Sequence, residues 1–146
     1  MFLDVTCHSL SCCVVAQIEA MDAHGPVLVV DDDPAILDAM RRLFELSGHA
    51  VVTAQDGEEA MGFLRGGLVP CLILLDLDMP VKDGLSFRRE QLADPALVHI
   101  PVIIYSSRPD AAEIARRLQA VAHFPKSMDF EALLPLVANH CSRPVR

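Results

Sequence analysis

Val27-Leu28-Val29-Val30-Asp31-Asp32-Asp33-Pro34 is the stretch that decides the fold. Four apolar residues run without alternation, then stop at three acids and a proline. A strand with one wet face alternates apolar and polar residues. A continuous run marks a strand covered on both faces, as in a parallel sheet. The proline stands where a helix can begin, because the first N–H groups of a helix have no intrahelical partner to lose.

The same rhythm recurs along the chain. Cys71-Leu72-Ile73-Leu74-Leu75 and Val102-Ile103-Ile104-Tyr105 are two further apolar runs, and Ala50–Ala54 and Ala122–Pro125 are weaker strand candidates. Helical patterns lie between them. Ile36, Met40, Leu43 and Phe44 share one face; Ala111, Ile114, Ala115 and Leu118 share another; Phe130, Leu133, Leu134 and Val137 share a third. Ser47-Gly48 and Gly66-Gly67 mark helix ends, and Arg108-Pro109 places a proline at an expected first helical position. Pro135 falls inside the last pattern, so that helix should kink or start late. The helix after Gly84 is the least regular, with Arg88 where an apolar residue is expected. Five strands alternating with five helices predict an α/β domain with a parallel sheet.

The chain has 146 residues, 52% hydrophobic and 22% charged, which suits one globular domain and not a disordered chain. Residues 1–24 lack a clear period; a short added helix, an arm, and a natural start at Met21 all stay open. Residues 25–142 form the expected domain and 143–146 a tail, with no output domain expected after it. Twenty acids against 12 bases give a net charge of -8, which argues against a nucleic-acid groove. Leu10–Ile18 is too short to span a bilayer and lacks the basic flank of a signal peptide. Cysteines at 7, 12, 13, 71 and 141 fit neither a disulfide framework nor a zinc site. Cys71 is expected to pack as a small hydrophobe, and the compartment to be a reducing cytoplasm. The six histidines are scattered without ligand spacing.

Several expected strands end in polar residues: Asp31-Asp32-Asp33 after the first, Asp76-Leu77-Asp78 after the third, Ser106-Ser107 at the fourth and Lys126 after the fifth. A parallel sheet gathers these ends at one edge, where ligands bind in such folds. Three carboxylates there repel one another. Raised pKa values are one remedy, and a hard divalent cation such as Mg²⁺ is another. Lys126 offsets charge and Ser106 donates a hydrogen bond without adding any. A carboxylate, a metal, a lysine and a hydroxyl suit phosphoryl transfer, with Asp76 as nucleophile. Asp33, next to Pro34, is better read as a helix cap. Asp31, Asp32 and Asp76 follow buried runs, where an uncompensated charge is costly.

Residues 26–141 resemble the receiver domains of bacterial two-component response regulators. The carriers are Val27 to Pro34, Leu74-Leu75-Asp76-Leu77-Asp78-Met79-Pro80-Val81-Lys82-Asp83-Gly84, Pro101-Val102-Ile103-Ile104-Tyr105-Ser106-Ser107, and Lys126. The resemblance implies a flavodoxin-like, doubly wound five-stranded parallel sheet of order 2-1-3-4-5 with five helices. It implies Asp76 as phosphoacceptor and Mg²⁺ on Asp31, Asp32, Asp76 and the backbone carbonyl of Asp78. Ser106 would contact the phosphoryl oxygen, and Lys126 matches the family's lysine. The implied partners are a sensor histidine kinase or histidine phosphotransfer protein as donor, and a downstream target on the face of the fourth helix, fifth strand and fifth helix. No nucleic acid or membrane is implied. The expected protein is a stand-alone, cytoplasmic regulator that is not a turnover enzyme.

Departures from the family pattern fall near that output face. Lys126 precedes Ser127 instead of a proline, so a trans peptide is expected, since cis costs roughly 2.5–4 kcal/mol without proline. Pro125 before it is tolerable on an edge strand. His123 stands where the family carries its switch aromatic. The Gly-rich turn before the last strand is lacking, so the fourth helix or its exit should be trimmed. These features keep a second reading open, a protein-binding module that signals without phosphorylation. Asp76-Leu77-Asp78 also resembles the nucleophile motif of haloacid-dehalogenase-like phosphatases, but that motif opens a longer chain with further acids downstream. Asp78 and Arg108, each two residues past a site residue, form a candidate pair that orients water and tunes phosphoryl lifetime.

Overall fold

The computed structural model describes residues 25–141. The expectations for residues 1–24 and for the tail lie outside them. The chain alternates β1 (Val27–Val30), α1 (Pro34–Leu46), β2 (Val51–Ala54), α2 (Gly57–Arg65), β3 (Leu72–Leu75), α3 (Gly84–Leu92), β4 (Val102–Ser106), α4 (Ala111–Arg117) and β5 (Ala122–Pro125). A 3₁₀ turn (Phe130–Leu133) then leads into α5 (Leu134–Cys141). All strand pairs are parallel, in the order β2-β1-β3-β4-β5. The flavodoxin-like expectation therefore holds, with the order reversing between β1 and β3.

The continuous apolar runs are buried on both faces, as their pattern requires. Leu28, Val30, Ile73, Leu75, Val102 and Ile104 point into a core shared with residues of α2, α3 and α4. The alternate residues Val27, Val29, Leu72, Leu74, Ile103 and Tyr105 point into a second core with α1 and α5. Met40 and Phe44 of α1 are fully buried there, and each such side chain contributes roughly 1.5–3 kcal/mol of transfer free energy.

Local signals place most helix ends. Asp33 caps α1, its Oδ1 accepting from Ala35 N at 2.9 Å, with Pro34 at the first position. Asp56 and Asp83 cap α2 and α3 through Glu59 N and Ser86 N. Pro109 does not open α4, which begins two residues later behind Asp110; the intervening turn is held by Arg108 and Asp110. The last helix starts late, as Pro135 suggested, after a 3₁₀ turn.

Two features answer the irregularities around α3 and α4. Arg88 is buried, and its guanidinium donates to the carbonyls of Leu118 and Gln119 and to Gln91 Oε1. Gln91, fully buried, donates to the carbonyls of Leu97 and Ile100. The turn into β5 that lacks glycine is made by Gln119, at φ 57°, with its carbonyl tied to Arg88. The polar positions on α3 thus satisfy loop carbonyls that a leucine would leave orphaned.

The reading of the cysteines is corrected. Cys71, just before β3, and Cys141, at the end of α5, are joined by a disulfide with Cα atoms 5.3 Å apart. Sequence spacing gives no hint of this, because the two lie 70 residues apart and meet only after the sheet and α5 are assembled.

Candidate functional site

Strand register builds the site. Val30 pairs with Leu75 across β1 and β3, so the next residues, Asp31 and Asp76, emerge side by side. Leu75 pairs with Ile104, and Ser106 pairs with Pro125. Ser106 and Lys126 therefore reach the same edge. Five residues expected at the site, Asp31, Asp32, Asp76, Ser106 and Lys126, lie there together.

Asp31 and Asp76 are almost fully buried, while Asp32 is exposed. Carboxylate oxygens of the three lie within 4.8 Å of one another. Lys126 Nζ stands 2.9 Å from Asp31 Oδ2 and 3.4 Å from Asp76 Oδ2. Burial pushes the Asp76 carboxyl up from 3.8 to about 6, and the neighbouring Asp31 charge adds to the rise. Lys126 and the backbone of Asp78 pull it back only in part. Burial works against the Lys126 charge, but the two carboxylates outweigh it and its pKa is raised.

Ser106 is buried, and its Oγ accepts from Arg108 N at 3.1 Å, which leaves the hydroxyl hydrogen to donate. The Asp78 side chain turns outward, where its Oδ1 meets Arg108 Nη1 at 3.3 Å. Arg108 is held more closely by Asp110. The expected Asp78–Arg108 pair exists, but in water it contributes little to stability.

The donor set fits a hard divalent cation. Asp31 Oδ1 is used by Asp33 N at 2.9 Å. Asp31 Oδ2 is buried, and its close partner is the Lys126 ammonium, at 2.9 Å. Three carboxylates converging with a single ammonium between them suit an ion with oxygen ligands.

Two contributors escape sequence reasoning. Tyr105, read only as part of an apolar run, lies beneath Lys126, with Nζ 5.3 Å from its ring centre. The ring packs on Phe124 and edge-on to Phe130, so it supports the lysine from below. Gly84 lets the loop after Asp76 fold back: a Cβ there would fall 2.2 Å from the Asp76 carbonyl oxygen. The aromatic ahead of Ser106 was the available signal for the first. For the second there was only the Asp83-Gly84 pair.

His123 pairs with Ile104, which faces the α2–α4 side of the sheet, so its ring points that way. Its Nε2 is buried without a partner. The peptide between Lys126 and Ser127 is trans, as expected, and α4 is short, at seven residues.

A site of this make-up at the edge of a 2-1-3-4-5 sheet defines a class, and the sequence comparison agrees with it. The chain belongs to the response regulator receiver domain family, whose model matches residues 27–138. The gliding motility regulatory protein of Myxococcus xanthus is 42% identical over 96 residues, 66% of this chain and 12% of that protein. Response regulator MprA of Mycolicibacterium vanbaalenii is 34% identical over 110 residues, 74% of this chain and 46% of that one. The chain thus spans less than half the length of these two relatives. Vibrio cholerae chemotaxis protein CheY4 shares the fold at TM-score 0.71 and 24% identity, covering 80% of this chain and 98% of that one. The phosphorylated cyanobacterial phytochrome response regulator RcpA matches at 0.68 and 32%, covering 80% and 90%. TrrA of Thermotoga maritima, in complex with Mg²⁺-BeF, matches at 0.69 and 26%, covering 79% and 97%. No helix among the described residues is long and apolar enough to cross a membrane.

Proposed function

We propose that the chain accepts a phosphoryl group on Asp76 from a phosphohistidine of a sensor histidine kinase or histidine phosphotransfer protein. The observation that carries this is the pair of buried carboxylates, Asp31 and Asp76, bridged by Lys126. An Asp76 oxygen attacks phosphorus, the P–N bond breaks, and the imidazole leaves with the electron pair. Lys126 moves its charge onto the incoming phosphoryl oxygens, and the Ser106 hydroxyl donates to one of them. Mg²⁺ would be held by Asp31, Asp32, Asp76 and the backbone carbonyl of Asp78. When bound it neutralises the carboxylates and the phosphoryl charge. Family membership and the solved Mg²⁺-BeF and phosphorylated relatives support this reading.

The receiver domain then acts as a cytoplasmic regulator or relay carrier and not as a turnover enzyme. Its message goes to a target protein on the α4–β5–α5 face, as phosphorylation shifts the population toward a repacked surface. Incubation with acetyl phosphate and Mg²⁺ should add one phosphoryl group to the intact mass. Asp76→Asn, or omission of Mg²⁺, should abolish it. No gain in mass, or a gain that survives in the variant, defeats the proposal. The second reading, phosphorylation-independent binding, draws on His123, a half-buried residue that stands in place of the family's switch aromatic. Target binding indifferent to both phosphodonor and Asp76→Asn would favour it.

A further inference from the structure

We propose that Cys71 and Cys141 form a reversible thiol–disulfide site that fastens α5 to the strand bearing Asp76, so that reduction releases the end of α5. The bond joins the residue before β3 to the last residue of α5. Asp76 directly follows β3, and α5 follows the segment that carries Lys126. The loop closed by the bond therefore contains Asp76, Ser106 and Lys126.

The helix depends on this attachment. With eight residues, α5 spans about two turns, too few to persist alone in water. Val137 and Cys141 are the buried residues of α5, and Leu133 precedes them. Without the bond, Cys141 keeps only the contacts of a small apolar side chain, and the final turn frays from its C-terminal end. The effect reaches the site along packed rings, since Phe130, just ahead of α5, packs edge-on to Tyr105, and Tyr105 underlies Lys126.

Reversibility follows from setting and access. The inference takes from the proposed function only the cytoplasmic setting, where disulfides are mostly transient or redox-sensing. Both sulfurs are buried, so exchange waits on the fraying of α5. A small-molecule disulfide, such as glutathione disulfide, is the oxidant. One thiolate attacks it to give a mixed disulfide and one released thiol. The second cysteine displaces the other thiol, so the two cysteines together lose two electrons and two protons. A dithiol reductant reverses both steps and leaves as its own disulfide.

The test uses the full chain, isolated without reductant and with free thiols blocked by alkylation. A tryptic digest should show residues 66–82 linked to residues 127–146. Dithiothreitol should break the link and speed amide exchange in residues 134–141 by about tenfold or more, with residues 27–30 unchanged. Glutathione disulfide should restore both link and slow exchange. Cys141→Ala should exchange like the reduced protein in either condition; Cys71→Ala repeats the check from the strand side. Cys71 and Cys141 both alkylated even after glutathione disulfide would overturn the proposal. So would linkage to Cys7, Cys12 or Cys13 instead, or exchange in 134–141 that ignores the redox state. No phosphodonor enters, so this outcome is independent of Asp76 chemistry.

Discussion

The two ends of the same sheet are built on opposite terms. At the carboxyl ends of the strands, Asp31 and Asp76 are buried close together with one lysine for two charges. At the amino ends, Cys71 is bonded to Cys141, and Arg88 and Gln91 satisfy the carbonyls of the loops entering β4 and β5. One end stores like-charge repulsion that a cation or phosphoryl group can relieve. The other end holds the strands in register while that happens. Stability and function are separated along the strand axis.

The largest expected effect is at the fastened end. Cross-linking residues 70 apart restricts the unfolded chain, which in the entropic account contributes about 4 kcal/mol. Urea unfolding with and without dithiothreitol should show a loss of that order. A midpoint that does not move would mean that α5 is held by packing alone, and the contrast between the ends would weaken.

Arg88→Ala comes next. It leaves the Leu118 and Gln119 carbonyls and Gln91 Oε1 without their donor in a buried setting. The cost should be roughly 3 kcal/mol, from orphaned polar groups and lost packing. Arg88→Lys should recover only part, because one ammonium cannot reproduce the fork. If Arg88→Ala unfolds at the wild-type midpoint, the clamp is ornamental.

At the functional end the sign reverses. The folded-state pKa of Asp76, about 6, lies above its ordinary value of 3.8. The folded protein therefore holds the proton more tightly than the unfolded chain, and its contribution to stability is full below about pH 4 and lost as pH rises through 6. Asp76→Asn removes that loss. Without added metal, the variant should be more stable at pH 7.5 by roughly 2 kcal/mol, with the gain fading by pH 4. Mg²⁺ should narrow the gap, since it stabilises only the protein with the carboxylate. A variant less stable at pH 7.5 would show that Lys126 already compensates the charge.

These contrasts explain what the sequence could reveal. The apolar runs, the acids after them and the turn residues are local signals, and they carried the parallel sheet and the Asp31, Asp32, Asp76, Ser106 and Lys126 cluster, while the strand order came from the family resemblance. Asp33 as a cap and the late start of α5 were legible for the same reason. The amino-terminal end was not legible, because its bonds join distant residues: Cys71 with Cys141, Arg88 with Gln119. Arg88 registered only as a break in the apolar pattern, and a break does not say which carbonyl it serves. Tyr105 was hidden among apolar neighbours, since only the fold puts Lys126 above its ring.

The smallest effect tests the loop between β3 and α3. Val81 is 83% exposed and adopts φ 66°, where a β-branched side chain crowds its own backbone. Its neighbours fix it there: Lys82 pairs with Glu58 and Glu90, and the Lys82 carbonyl accepts from Gly57 N at 2.9 Å. The side chain buries little, so replacing it forfeits little packing. Val81→Asn should therefore stabilise the protein by about 1 kcal/mol, because asparagine tolerates the left-handed region far better. Val81→Gly should gain less than its sterics suggest, since glycine leaves the unfolded chain freer. Urea midpoints at constant slope would read both. A loss in Val81→Asn would show that the valine makes a contact that outweighs its strain, and the carboxyl end of the sheet would then be less purely a place of stored cost.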